Sequence, residues 1–209
     1  LKVAKLGSME VEKCYFCNET AVYECAVYRK PLCQTHIRIL SICHSCTPRI
    51  HVEFSIIEKT EKDSQKIERL TQLFWGEPEQ IMFDMKLKIH ELPAYIAESN
   101  GKLIGFIAHK PLEKSMLIAA LAVLPRYQGS GIGKALIQKV EEKARQLSKK
   151  KLLVSTSNDD LPALAFYQKI GFQIFEVKPN VIAEKHGKAI LGLGGIPIRD
   201  EIMLHKILA

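Results

Sequence analysis

The chain has 209 residues, of which 47% are hydrophobic and 25% charged, the make-up of an ordinary globular protein. This excludes a disordered, collagen-like or fibrous chain. The longest uncharged stretch, Ser115 to Pro125, falls far short of the ~20 residues that a membrane helix needs. The length suits one domain with room for a small second module. The formal net charge of +7 could draw nucleic acid, an acidic protein or a phosphorylated cofactor. Whole-chain charge alone does not choose among them, and a solvated lysine-rich surface explains it equally. No secretory signal is visible, so a cytoplasmic location is expected.

In chain order, Gly7-Ser8-Met9 reads as a cloning junction, with residues 1–8 as a tag remnant and Met9 as the native start. All six cysteines lie between Cys14 and Cys46, which by itself marks a module. The spacing is Cys14-x2-Cys17, Cys25, Cys33-x2-His36 and Cys43-x2-Cys46, with His44 and His51 close by. Two residues between cysteines let both sulfurs grip one ion from a tight turn, and zinc takes four thiolate or imidazole ligands tetrahedrally. Disulfides are the rival reading, which the x2 pairs and the lack of a secretory signal disfavour. The order of pairs suggests a cross-brace, with Cys14 and Cys17 joining Cys33 and His36 while Cys25 joins Cys43 and Cys46. The runs Ala21-Val22-Tyr23-Glu24-Cys25 and Pro31-Leu32-Cys33-Gln34-Thr35-His36 resemble the B-box type of zinc finger. Where that pattern needs a ligand, position 28 is Tyr28, and a phenol with a pKa of about 10 is a poor one. The fourth ligand of the second site is then His51, His44 or water. A structural metal is expected, because so small a module has little core.

Beyond a boundary near Pro48 to Glu58, a polar stretch from Glu58 to Arg69 enters a helix. Tyr95–Glu98 and Leu103–Ala108 read as strands, and Asn100-Gly101 between them is a hairpin signal. Met116 to Leu124 is an apolar run that reads as a central strand. The loop Pro125-Arg126-Tyr127-Gln128-Gly129-Ser130-Gly131-Ile132-Gly133-Lys134 follows, and Ile132, Leu136, Val140, Ala144 and Leu147 then recur at helical spacing. A glycine-rich loop entering a helix favours phosphate, because the first helical amides lack partners and the dipole is positive there. The glycines fit neither the P-loop nor the dinucleotide pattern. Leu152–Thr156 reads as a strand, followed by Asn158 and a short helix from Pro162 holding Ala165-Phe166-Tyr167, with Gly171 at its exit. Phe172–Val177 and Glu201–Ile207 are the last strands, and Gly192-Leu193-Gly194-Gly195 is expected to be a flexible loop.

Gln128-x-x-Gly131-x-Gly133, followed by Asn158 and Ala165-Phe166-Tyr167 ahead of Gly171-Phe172, resembles the two ordered signatures of the GNAT acetyltransferases. The resemblance covers roughly residues 58–209. It implies an α/β (α+β) fold with a mixed, mostly antiparallel central sheet flanked by helices, preceded by the small zinc module (9–52 and 53–209 as the two domains). It implies acetyl-CoA as cosubstrate, with the amides of Gly129, Ser130, Gly131, Ile132, Gly133 and Lys134 at the pyrophosphate beside Gln128. Leu121, Ala122 and Val123 would pair with the pantetheine arm, Asn158 would bond it, and Tyr167 would be the general acid for the departing thiolate. The acceptor is an amine, either a small molecule or a protein N-terminus or lysine, attacking directly in a ternary complex. The 163 residues after Cys46 hold no cysteine, so no cysteine acyl-enzyme forms there. The base is left unassigned: Glu98, His109, Glu77 and Glu79 are candidates, with water, or a substrate already partly neutral, the leading explanation.

An alternative is a protein that binds acetyl-CoA, or docks through zinc, without turnover. Arg29, Lys30, Arg38 and Arg49 with Tyr15, Phe16, Tyr23 and Tyr28 permit nucleic-acid binding by the finger without showing it, and nucleic acid is not the expected partner. A protein partner for the zinc module and a dimeric assembly are both open options; no membrane is expected.

Overall fold

The computed structural model describes residues 52–187 and 190–208, together with 4–6, 9–11, 13–14, 18–21, 23–24 and 31–32. Near the N-terminus β1 (Ala4–Leu6) pairs antiparallel with β2 (Met9–Val11), and β3 (Tyr23–Glu24) with β4 (Pro31–Leu32). A bridge between Lys13 and Thr20 closes a small turn in which the buried Cys14 donates its backbone N–H to Glu19 O at 2.9 Å. Of the expected zinc ligands only Cys14 lies among the described residues. Cys17, Cys25, Cys33, His36, Cys43, Cys46 and His51 lie outside them, as does His44. Among the described residues no group of three or more His, Cys, Asp or Glu is gathered to hold a metal ion.

From β5 (Ser55–Glu58) the chain builds one seven-stranded sheet. Helix α1 (Glu61–Trp75) starts where the Asp63 carboxylate accepts both the Thr60 N–H at 3.0 Å and the Thr60 hydroxyl at 2.7 Å. It stops at Gly76, whose φ of 77° is the left-handed conformation that ends helices. The hairpin β6 (Glu79–Met82) and β7 (Met85–Lys88) follows. It carries no Asn-Gly signal. Next come β8 (Ala94–Ser99), β9 (Lys102–Pro111) and β10 (Ser115–Val123). Asn100 and Gly101 both have positive φ between the paired Ser99 and Lys102, the two-residue turn that their chemistry predicts. Helix α2 (Ile132–Gln146), β11 (Lys151–Ser157), α3 (Leu161–Lys169), β12 (Gln173–Lys178), α4 (Val181–His186), the short pair β13 (Ile190–Leu191) and β14 (Pro197–Ile198), and β15 (Glu201–Ile207) complete the order.

The sheet order is β12-β15-β11-β10-β9-β8-β5. Every neighbouring pair is antiparallel except β10 and β11, which are parallel. Two cores follow from side-chain alternation across the strands. One face packs Ile107, Met116, Ile118 and Val154 beneath α2 and α3. The other packs Phe106, Ala108, Leu117 and Leu153 beneath α1, with the β6–β7 hairpin against it. No described helix is long and apolar enough to cross a membrane.

His109, on β9, lies on the α2 face with 3% exposure, stacked on Tyr95 at 5.5 Å. Among the described residues its Nδ1 has no hydrogen-bond partner. Burial, reinforced by the nearby Lys143 charge, pushes its pKa down to about 4. An unfolded histidine titrates near 6.5. Between those values the unfolded chain takes up a proton that the folded one does not, so stability falls as pH drops from about 6.5 to about 4. Urea unfolding at pH 7.5 and pH 5 should show the wild type losing about 2 kcal/mol more than a His109→Leu variant. An equal loss in both proteins would refute this.

Candidate active site

The site is built around a parting of strands. Parallel pairing of β10 with β11 is confined to Ser115↔Lys151, Met116↔Leu152 and Leu117↔Leu153. Beyond it β10 runs on through Val123 and β11 through Ser157 without a shared ladder. Opposite the gap, β10 stays paired with β9, but the register shifts between Ile118 and Ala120. This bulge turns both Ala119 and Ala120 to the α1 face, while Ile118 and Leu121 pack on the α2 face. The edge of Leu121, Ala122 and Val123 facing β11 therefore has no strand partner among the described residues, and such backbone groups need one. An extended chain could pair there as an added strand. Gly105 makes the approach of β9 possible, since a Cβ there would lie 2.8 Å from the Ala122 carbonyl oxygen.

At the open end of β10 the chain turns into α2. The Gln128 side-chain amide donates to Val123 O at 3.0 Å and the Ser130 hydroxyl to Tyr127 O at 2.6 Å, pinning the loop from inside. Gly129 and Gly131 have φ of 81° and 93°, a region that costs other residues strain. Gly131 is the N-cap of α2, no side chain caps that end, and no acidic residue stands in its first turn. The amides of Ile132, Gly133 and Lys134 are thus left for an anion. Lys134 is exposed beside them. A Cβ on Gly133 would press on the Phe166 ring at 3.3 Å, so its absence lets α3 close against the start of α2.

Helix α3 carries Tyr167. Asp160 caps it, its carboxylate accepting Ala163 N–H at 3.2 Å. Pro162 sits in the first turn, where its missing N–H costs nothing. Tyr167 is 6% exposed and edge-on to both Phe166 and Phe172. Burial, with a further push from the Asp160 charge, raises its pKa well above the ordinary phenol value. Burial likewise raises that of Asp160, partly offset by the Ala163 N–H. The phenol therefore holds its proton throughout the physiological range.

Several of the expected residues have partners within the fold. Asn158 was expected on the pantetheine arm. Its Oδ1 accepts Arg199 N–H at 2.8 Å and Asp200 N–H at 2.9 Å, and its Nδ2 donates to Pro197 O at 2.9 Å, so it clamps the turn before β15. The Gly192–Gly195 stretch, expected as a flexible loop, is a turn with Leu193 buried and its N–H on Asp159 Oδ2 at 3.0 Å. A Cβ on Gly192 would meet that carboxylate at 1.8 Å. Among the base candidates, Glu77 pairs with Lys185 at 2.9 Å and Glu79 with Lys86 at 2.6 Å. His109 is buried under α2, and Glu98 lies at the β8–β9 turn. Sequence reasoning missed two buried acids, Asp159 and Glu201. No motif surrounds Glu201, and only the pairing of its strand brings it beside Ser157 on β11.

A family model described as Acetyltransferase (GNAT) family matches residues 61–172. The chain belongs to the GNAT acetyltransferase family. GNAT members use acetyl-CoA as acetyl donor, and the open β10 edge leading to uncapped helical amides is the part of this chain that fits such a ligand. The chain is 35% identical over 147 residues to the protein YdhI of Bacillus subtilis (strain 168), covering 66% of this chain and 91% of YdhI. Its fold is similar to an IAA acetyltransferase from Bacillus cereus ATCC 14579, with a TM-score of 0.58, 26% identity and 75% and 100% of the two chains covered. A GNAT family acetyltransferase from Elizabethkingia anophelis with acetyl-CoA bound shares the fold, with a TM-score of 0.55, 24% identity and 74% and 98% covered.

The close approach at Gly105 is directly testable. Gly105→Ala pushes a methyl into the backbone of the open strand, and overpacking of this kind costs about 2 kcal/mol. Calorimetry should show the melting temperature lowered by about 4–8 °C, and an unchanged melting temperature would mean that β9 and β10 can move apart freely.

Proposed function

We propose that the protein is an acetyl-CoA-dependent N-acetyltransferase in which an amine attacks the acetyl carbon directly in a ternary complex. The observation that carries this reading is the continuity of the unpaired β10 edge with the glycine-capped start of α2. The cosubstrate supplies an acetyl group activated as a thioester. The amides of Gly129 to Lys134 would bind its pyrophosphate, with the Lys134 charge nearby, while Gln128 acts from behind by holding the loop to β10. Leu121, Ala122 and Val123 would pair their backbone with the pantetheine arm. The backbone amides at the gap would polarise the acetyl carbonyl. Tyr167 would hold a proton ready for the departing sulfur, and its raised pKa keeps that proton in place at working pH. Strand β10 itself offers no acid, so water would take the proton from the amine. The acceptor is a small-molecule amine or a protein N-terminus or lysine.

The reading extends to residues 9–52 as a zinc module built on Cys14, Cys17, Cys33 and His36, with Cys25, Cys43, Cys46 and His51 as a second set. Thiolate and imidazole donors at x2 spacing suit zinc, and a protein-docking role suits a module of this size. Native mass spectrometry of the full chain, with and without acetyl-CoA, tests both halves. Two zinc ions and one acetyl-CoA per chain are expected. A single zinc would remove the second site, and failure to bind acetyl-CoA would overturn the transferase reading.

Tyr167→Phe keeps the packing and removes the proton. With acetyl-CoA and an amine, thiol release should show kcat reduced about 10²-fold or more, with the acetyl-CoA Kd from calorimetry within about twofold of wild type. An unchanged kcat would make Tyr167 a packing residue.

A further inference from the structure

The tip of the β6–β7 hairpin is strained and tied down. Met82 and Met85 are paired, leaving Phe83 and Asp84 as a two-residue turn with φ of 50° and 58°. Both central positions of such a turn demand positive φ, which Asn-Gly supplies readily and a bulky aromatic residue does not. A phenylalanine at positive φ is a strained placement of the kind that clusters at ligand-binding sites.

Two contacts hold the tip against the far side of the sheet. The Phe83 N–H donates to Glu201 Oε1 at 3.1 Å, and Glu201 is only 4% exposed. Asp84 pairs with Lys178 at 2.7 Å. At the base of the hairpin, Glu77 pairs with Lys185 at 2.9 Å. Lys178 and Glu201 are partners at the ends of β12 and β15. The hairpin thus reaches across the sheet, from the α1 side to the strands beyond β11.

The strap lies on a defined face. Glu201 pairs with Ser157, and residues directly opposite on paired strands share a face. Ser157 shares a face with Leu153, four residues earlier on β11, which packs on the α1 side. Ala120 and Ala122 of β10 face the same way, as do the half-buried Phe83, Met82 and Met85. The uncapped amides of α2 and the phenol of Tyr167 belong to the opposite face. An acyl donor lying in the gap between β10 and β11 is therefore met by its acceptor from the strap side.

We propose that Phe83 is a specificity-determining residue, that Glu201 positions it and offers a carboxylate to a cationic amine, and that the site selects a primary amine on an apolar stem. This rests on the transferase reading above and names its substrate class. Ala120 and Ala122 present only methyl groups on that face, Phe83 with its flanking methionines adds apolar surface, and the Glu201 carboxylate complements an ammonium group. Among the described residues no hydrogen bond reaches the second oxygen of Glu201.

The test uses the full chain, acetyl-CoA, and two probe amines, phenethylamine and spermidine. Calorimetry with acetyl-CoA alone comes first; absence of binding overturns the transferase reading and this inference together. With binding established, phenethylamine should be acetylated with kcat/KM about tenfold or more above that of spermidine. Phe83→Gly relieves the backbone and removes the ring. It should cut that preference about tenfold while acetyl-CoA still binds, and circular dichroism reports whether the fold is kept. Glu201→Gln keeps an acceptor for the Phe83 N–H and removes the charge. It should raise KM for both amines about fivefold or more with kcat little changed, whereas Glu201→Ala should also lose the phenethylamine preference. A spermidine preference, no acetylation of phenethylamine despite acetyl-CoA binding, or a Phe83→Gly variant with unaltered preference would each overturn the proposal.

Discussion

The molecule depends on one unmade ladder. Parallel strands β10 and β11 pair over three residues and then separate, leaving a row of backbone donors and acceptors in the middle of a seven-stranded sheet. Such groups are costly to leave unpaired, and an extended ligand arm is a natural partner for them. The rest of the structure maintains the gap. The bulge at Ala119 shifts the register of β10 against β9, Gly105 lets β9 approach, and Gln128 ties the end of β10 to the loop that follows.

The two faces of the sheet divide the work. The α2 face carries fixed positive potential at a helix start that no side chain caps, together with a phenol kept protonated by burial and the Asp160 charge. The α1 face carries small side chains, an aromatic tip in a strained turn and a buried carboxylate. An anionic donor suits the first face and a cationic acceptor the second. Isolated surface ion pairs contribute little, so the strap owes its placement mainly to the buried Glu201 bond and the apolar packing of Phe83, with Asp84–Lys178 and Glu77–Lys185 setting direction.

Buried acids do structural service elsewhere. Asp159 holds Leu193 N–H and presses on Gly192, which makes the glycine-rich 192–195 segment a fixed turn. Asn158 performs the parallel task for residues 197–200. Together they connect the C-terminal end of β11 to the start of β15, and so fix where Glu201 lies.

The sequence by itself determined most of the elements from β8 onward and the glycine-rich loop before α2. Hydrophobic periodicity set β10, α2, β11 and β15 to within a residue or two. The glycine spacing from Gln128 to Gly133 marked the loop that enters α2, in which Gly129 and Gly131 take positive φ. The contacts of the β6–β7 hairpin were not legible. Phe83-Asp84 carries no turn signal, and Glu201 carries no motif. The resemblance put Asn158 on the pantetheine arm, and its clamp on Pro197 and Asp200, about forty residues along the chain, is visible only in the assembled fold. These roles arise from contacts between segments far apart in sequence, and only the pairing of β11 with β15 and the packing of the hairpin over that edge decided them. Local propensity encodes conformation, whereas which buried group faces which requires the assembled sheet.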